Sequence, residues 1–202
     1  MTSWQKYGGK AADWTETAYA DADAYLSHRA EIVRTLGPPL GPGDLVLDLA
    51  CGDGGFGDFL PQQRYLGVDA SEEMVAAGRA RGRELVHADL NAFEPAGPVQ
   101  ATTIFRAIYY AADRVALLRR IAGYTEKKLV FDLNPRQYRL EDVRADARAA
   151  GFDRFETRPF FVPQTRSVPF LTALERSGPL ARLLLRYRFT LLCAASRSSA
   201  AS

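Results

Sequence analysis

Residues 45–57 constrain the fold of this chain more than any other stretch. The apolar run Leu45-Val46-Leu47-Asp48-Leu49-Ala50 leads straight into Cys51-Gly52-Asp53-Gly54-Gly55-Phe56-Gly57. A short apolar segment of this kind reads as a strand buried on both faces. Glycines belong where the backbone takes positive φ or where a ligand approaches closer than a Cβ permits. A helix opening after them would point free N–H groups and its positive end at an anionic or polar ligand. About twenty residues on, Tyr65-Leu66-Gly67-Val68-Asp69-Ala70-Ser71 reads as a second strand ending in an acid. That is the spacing at which nucleotide-binding βαβ units set a carboxylate against ribose hydroxyls. The competing reading makes Asp48 and Asp69 ordinary turn residues at strand ends. The letters Gly52-Asp53-Gly54-Gly55-Phe56-Gly57 also spell the G-x-G-x-x-G fingerprint of nicotinamide-binding domains.

Beyond this segment, apolar strands and helical stretches alternate, the pattern of a parallel sheet with helices on both faces. The expected strands are Leu45 to Ala50, Arg64 to Val68, Glu84 to Ala88, Ala101 to Phe105 and Lys128 to Leu133. A helix is expected to open at Ser71-Glu72-Glu73-Met74, with Ser71 as N-cap and acids in the first turn. Others are expected from Asp113 to Ile121 and from Leu140 to Ala149, the last stopped by Gly151. An N-terminal segment rich in aromatics is read as one helix from Asp13 to Leu36, ended by Gly37-Pro38-Pro39. Phe155 to Val162 and Tyr187 to Ala194 read as two closing strands with a long connection between them.

At 202 residues, 47% apolar and 25% charged, the chain suits one globular domain with a single substantial core. The expected organisation is a helical lid over 1–39, a ligand-binding half over 40–134, a C-terminal half over 135–195 with an insertion at 163–186, and a tail at 196–202. No apolar run is long enough to span a bilayer and the N-terminus lacks a signal core, so a cytoplasmic location is expected. Cys51 and Cys193 form no CxxC pair or zinc-like cluster, which argues against a disulfide or a structural metal. The net charge of +2 hides an asymmetry: residues 151–202 carry eight arginines against Asp153, Glu156 and Glu175. A basic tail faces either an anionic partner or simply solvent.

Taken in order, these motifs resemble the class I S-adenosylmethionine-dependent methyltransferases over about residues 40–195. Val46-Leu47-Asp48-Leu49-Ala50-Cys51-Gly52-Asp53-Gly54 is similar to that family's first motif. The resemblance implies a Rossmann-like, doubly wound seven-stranded sheet, mostly parallel, with an antiparallel C-terminal pair. It implies S-adenosyl-L-methionine as cofactor and S-adenosyl-L-homocysteine as product. Asp48, Ala50, Gly52 and Gly54 are then placed at the methionine end, Ala50 standing where glycine is usual and fitting if φ is negative there. Asp69, followed by Ala70, matches the acid on the ribose diol, and Met74 lies toward the adenine. Val86-His87-Ala88-Asp89-Leu90 resembles the third-strand motif, with Asp89 facing the adenine amino group and Leu90 beside it. Phe105 closes the fourth strand near the sulfonium. Tyr7 and Trp14 match lid residues of similar small-molecule enzymes. The acids flanking the glycines favour this reading over a dehydrogenase.

On the acceptor side, Arg106, Tyr109 and Tyr110 follow the fourth strand, where parallel-sheet enzymes place ligands. His28 is a candidate general base, with a surface histidine as the plainer alternative; His87 reads as structural. The Asp/Asn-Pro-Pro-aromatic motif of DNA amino-methylases is missing from Phe105-Arg106-Ala107-Ile108, and the overall charge is near neutral, so nucleic acid is disfavoured. The expected activity is methylation of a hydroxyl on a natural product, sugar or lipid-like molecule. Carbon methylation of a quinone-like acceptor and a non-catalytic cofactor-binding role are the alternatives. The leucine- and arginine-rich insertion suits a lipid-like or anionic acceptor, peripheral membrane contact, or plain packing.

Overall fold

The computed structural model describes residues 14–162, 171–185 and 190–198. The chain order is α1 (Trp14–Ala18), α2 (Ala22–Thr35), β1 (Leu45–Leu49), β2 (Arg64–Asp69), α3 (Glu72–Ala80), β3 (Leu85–His87), β4 (Val99–Ile104) and α4 (Arg114–Tyr124). It continues through β5 (Thr125–Leu133), α5 (Leu140–Ala149), β6 (Arg154–Phe160), α6 (Leu171–Leu174), α7 (Pro179–Leu184) and β7 (Thr190–Ser196). The strands form one seven-stranded sheet in the order β3-β2-β1-β4-β5-β7-β6. β3, β2, β1, β4 and β5 run parallel; β7 is antiparallel to both β5 and β6. This is the doubly wound, seven-stranded sheet with an antiparallel closing pair that the family resemblance implied. No helix among the described residues is long and apolar enough to cross a membrane.

Alternation along the strands sends side chains into two separate cores. Leu47, Leu49, Leu129 and Phe131 pack under α4 and α5 with Leu117, Leu118, Ile121 and Val143. Val46, Ala101, Val130 and Leu192 face the other way, against Tyr25, Leu26, Ile32 and Val33 of α2. Successive strand residues point to opposite faces, so a strand covered by helices on both sides must be apolar throughout. The acid Asp48, between Leu47 and Leu49, is therefore an exception that needs partners.

Two local expectations are corrected. The N-terminal stretch is not one helix: it breaks at Tyr19–Asp21, because the Asp21 side chain accepts the Ala24 N–H at 2.9 Å and starts α2 afresh. After the glycines comes a 3-10 turn, Gly55–Phe59, rather than an α-helix. Glycines at 54, 55 and 57 weaken helix formation there, and Pro61 follows at once. The predicted strand Tyr187 to Ala194 begins, among described residues, at Thr190, and residues 163–170 and 186–189 of the insertion lie outside the description.

α2 is fixed to the sheet at its C-terminal end by a fully buried lysine. Lys128 Nζ, on β5, donates to Leu36 O at 2.7 Å and Arg34 O at 3.4 Å, two carbonyls at the helix end. A cation suits the negative end of a helix dipole. Burial nevertheless pulls its pKa down to about 7. Below that pH Lys128 is charged in both folded and unfolded chains and the burial penalty is complete. Between about 7 and the ordinary lysine value the unfolded chain binds the extra proton, so stability rises with pH through that window. Urea unfolding from pH 6.5 to 10 is expected to show this rise in the native chain and a flatter curve in Lys128→Met; parallel curves for the two proteins would exclude the lysine as its source.

Candidate active site

The carboxyl ends of the parallel strands open into a cavity of about 350 Å³. It lies where open α/β sheets bind ligands, and its size is ordinary for a small-molecule site. Four acids line it, Asp48, Asp53, Asp69 and Asp89, together with two cations, Arg29 and Arg106.

Asp69 organises the near wall. Its Oδ2 accepts the Gly52 N–H at 2.7 Å and its Oδ1 accepts the Ser71 N–H at 2.9 Å. One carboxylate at the end of β2 thus holds both the glycine turn after β1 and the start of α3, where Ser71 caps Met74 N–H. Burial raises its pKa despite these bonds. Each carboxylate oxygen accepts more than one hydrogen bond, so capacity for a diol remains. Gly52 has φ +62 and Gly54 φ +75. A Cβ on Gly52 would stand 3.0 Å from Trp14 Nε1, so the missing side chain lets the indole cover the turn. α1 is tied down next to it: Thr15 Oγ1 donates to Asp53 Oδ1 at 2.6 Å, and Arg83 Nη1 meets Asp53 Oδ2 at 3.1 Å.

Ala50 has φ +60. The replacement of glycine there was expected to be harmless at negative φ; the backbone instead places an alanine in the left-handed region, at a cost of about 1–2 kcal/mol.

Asp48 is buried, accepting from Thr103 Oγ1 at 2.6 Å and from Tyr65 Oη at 2.8 Å. The β1–β4 register sets Asp48 beside Thr103, which explains the first bond. Burial pushes its pKa up to about 6. Asp89 Oδ1 accepts from both the N–H and the Nδ2 of Asn91, while its Oδ2 makes no hydrogen bond with a described residue. Ala70, Met74 and Leu90 supply apolar wall between these acids.

The opposite wall comes from α2 and the end of β4. Arg29 is only 3% exposed, its Nη2 donating to Tyr25 Oη at 2.6 Å. Its guanidinium lies 4.2 Å from the Phe105 ring centroid and 4.6 Å from that of Tyr25, and its Nε has no hydrogen-bond partner. Cation–π contacts help hold a buried charge but leave this donor open. Arg106, Tyr109 and Tyr110 stand at the mouth, the tyrosine rings 4.4 Å apart.

Of the residues singled out from sequence, all described ones line the cavity except Gly54 and His28. Gly54 sits behind the turn, where a Cβ would meet Leu85 at 2.7 Å. His28 points away, its Nε2 2.8 Å from Glu175 and its Nδ1 3.2 Å from Glu31, with its ring stacked on Phe160. Tyr7 lies outside the described residues. Sequence reasoning missed Arg29, Tyr19 and Asn91. For Arg29 the signal was present: it interrupts the buried stripe Tyr25, Leu26, Ala30, Val33 of α2, where a charge is out of place.

The chain is similar to several known proteins. Residues 46–128 match the family model described as "Methyltransferase domain". The trans-aconitate 2-methyltransferase of Azoarcus sp. (strain BH72) is 33% identical over 107 residues, 50% of this chain; the chain spans 42% of that relative's length. Three solved structures share the fold. The phosphoethanolamine N-methyltransferase 2 of Haemonchus contortus has TM-score 0.67 at 16% identity, covering 98% of this chain and 61% of that one. An S-adenosylmethionine-dependent methyltransferase from Thermotoga maritima gives 0.66 at 16% identity, covering 96% and 99%. One from Mesorhizobium loti gives 0.63 at 20% identity, covering 84% and 99%.

Replacing Ala50 by glycine is expected to raise stability by up to about 1 kcal/mol, the relieved strain being partly offset by a freer unfolded chain. In a thermal scan this is a Tm gain of roughly 2–4 °C. A lower Tm would mean that the alanine methyl contributes packing worth more than its strain.

Proposed function

We propose that this chain, whose residues 46–128 are a methyltransferase domain on a class I sheet, transfers a methyl group from S-adenosylmethionine to an oxygen of a small-molecule acceptor. The observation that carries this reading is the distribution of charge in the cavity. Asp48, Asp69 and Asp89 stand in order at the ends of, or just after, β1, β2 and β3, with Arg29 opposite them.

The residues fit that cofactor group by group. Asp69 has acceptor capacity for a ribose diol, and the open Oδ2 of Asp89 suits an adenine amino group. Arg29 supplies the unpaired buried donor that a methionine carboxylate requires, and Asp48 adds negative charge near the cofactor's cationic centre. Bound there, S-adenosylmethionine would supply an electrophilic methyl on a sulfonium. The protein's part is orientation of donor and acceptor within the cavity, which is worth several kcal/mol or more. The chain's two histidines, His28 and His87, both lie off the cavity, so we assign no histidine base. The relative named for trans-aconitate supports a small-molecule acceptor rather than a polymer.

Calorimetry with S-adenosylhomocysteine tests the donor site. Asp69→Ala is expected to weaken binding at least about tenfold through loss of charged hydrogen bonds. Arg29→Met is expected to weaken S-adenosylhomocysteine but not adenosine, which lacks the carboxylate. Native-like affinity in Asp69→Ala, or equal losses for both ligands in Arg29→Met, would undo the respective assignment.

A further inference from the structure

Among the described residues that line the cavity, one cation is not used by the proposed donor site. Arg106 follows β4 at the mouth, exposed, and its guanidinium makes no hydrogen bond or ion pair with any described residue. Its backbone is anything but casual. Arg106 has φ +55, and its N–H donates to Asp132 Oδ1 at 2.6 Å. Asp132 is itself only 8% exposed, near the end of β5. A buried carboxylate thus fixes a strained, non-glycine backbone at an exposed arginine of the cavity. Strain of this kind persists only where surroundings over-determine it, and it clusters at ligand-binding positions.

The neighbourhood points to what the arginine meets. The four acids of the cavity belong to the wall built by β1, β2, β3 and their loops, whereas Arg29 and Arg106 share the other wall. With Arg29 assigned to the cofactor, Arg106 is the remaining cation among the described residues that line the cavity. Tyr109 and Tyr110, 49% and 39% exposed, add two aromatic faces and two hydroxyls beside it. A single planar guanidinium next to aromatic surface matches a planar carboxylate through paired N–H···O bonds. A phosphate would instead gather several donors or a helix N-terminus.

We propose that the acceptor is a small organic acid and that Arg106, its backbone set by Asp132, binds an acceptor carboxylate at the cavity mouth. The proposal rests on the methyl-donor reading of the same cavity, and the test separates the two. Calorimetry is run on the full chain saturated with S-adenosylhomocysteine, titrating succinate and citrate, with succinamide and inorganic phosphate as controls at matched ionic strength. A carboxylate probe is expected to bind saturably and succinamide not at all. Arg106→Gln is expected to weaken the carboxylate at least about tenfold while the same preparation still binds S-adenosylhomocysteine. Asp132→Asn is expected to weaken the carboxylate less, because it loosens the backbone and leaves the charge in place. Failure of the native chain to bind S-adenosylhomocysteine would overturn the donor reading first. With that binding intact, no carboxylate binding, equal affinity in Arg106→Gln, or tighter binding of phosphate would each overturn the acid-binding role.

Discussion

One carboxylate holds the working end of this molecule together. Asp69 joins the turn after β1 to the first turn of α3 through two backbone N–H groups, bonded at 2.7 and 2.9 Å. Neither segment can be satisfied by the sheet ladder, because both have left it, and buried backbone donors need partners. The same contact brings Gly52 close to Asp69, and Trp14 then closes over the glycine. The position of the cavity's near wall follows from those bonds.

The parallel strands were legible in the sequence because strands covered on both faces are apolar runs that alternate with helices, whereas their order in the sheet is a matter of tertiary pairing. Asp69 was legible from its spacing after the glycines, and Asp48 and Asp89 from the resemblance of their motifs to those of a known family. Asp132 lies in an apolar run, Leu129-Val130-Phe131-Asp132-Leu133, yet nothing local indicates that it bonds the backbone of Arg106. His28 illustrates the limit more sharply. Its chemistry suggested a base, but its partner Glu175 is 147 positions away, and only the tertiary fold decides which face of α2 the ring occupies. Arg29 was obscured because attention to strand ends leaves out a helix that lies across them.

The two strained residues, Ala50 and Arg106, sit at the ends of adjacent strands β1 and β4 and both border the cavity. Left-handed backbone turns the chain abruptly, so these strands end in sharp corners rather than drifting into loops. The sheet here gives up some local stability at the edge of the cavity, and the Asp48–Thr103 and Asp132–Arg106 bonds help retain it.

α2 carries Arg29 toward the cavity and, one residue earlier, His28 toward Glu175 in the segment that follows α6. Adjacent residues on a helix point about 100° apart, so a single rigid rod serves two neighbours at once. Replacing residues 171–185 would therefore also disturb the rod that presents Arg29. α2 and residues 171–185 are therefore not separable pieces, and a change in one is felt by the other through one turn of helix.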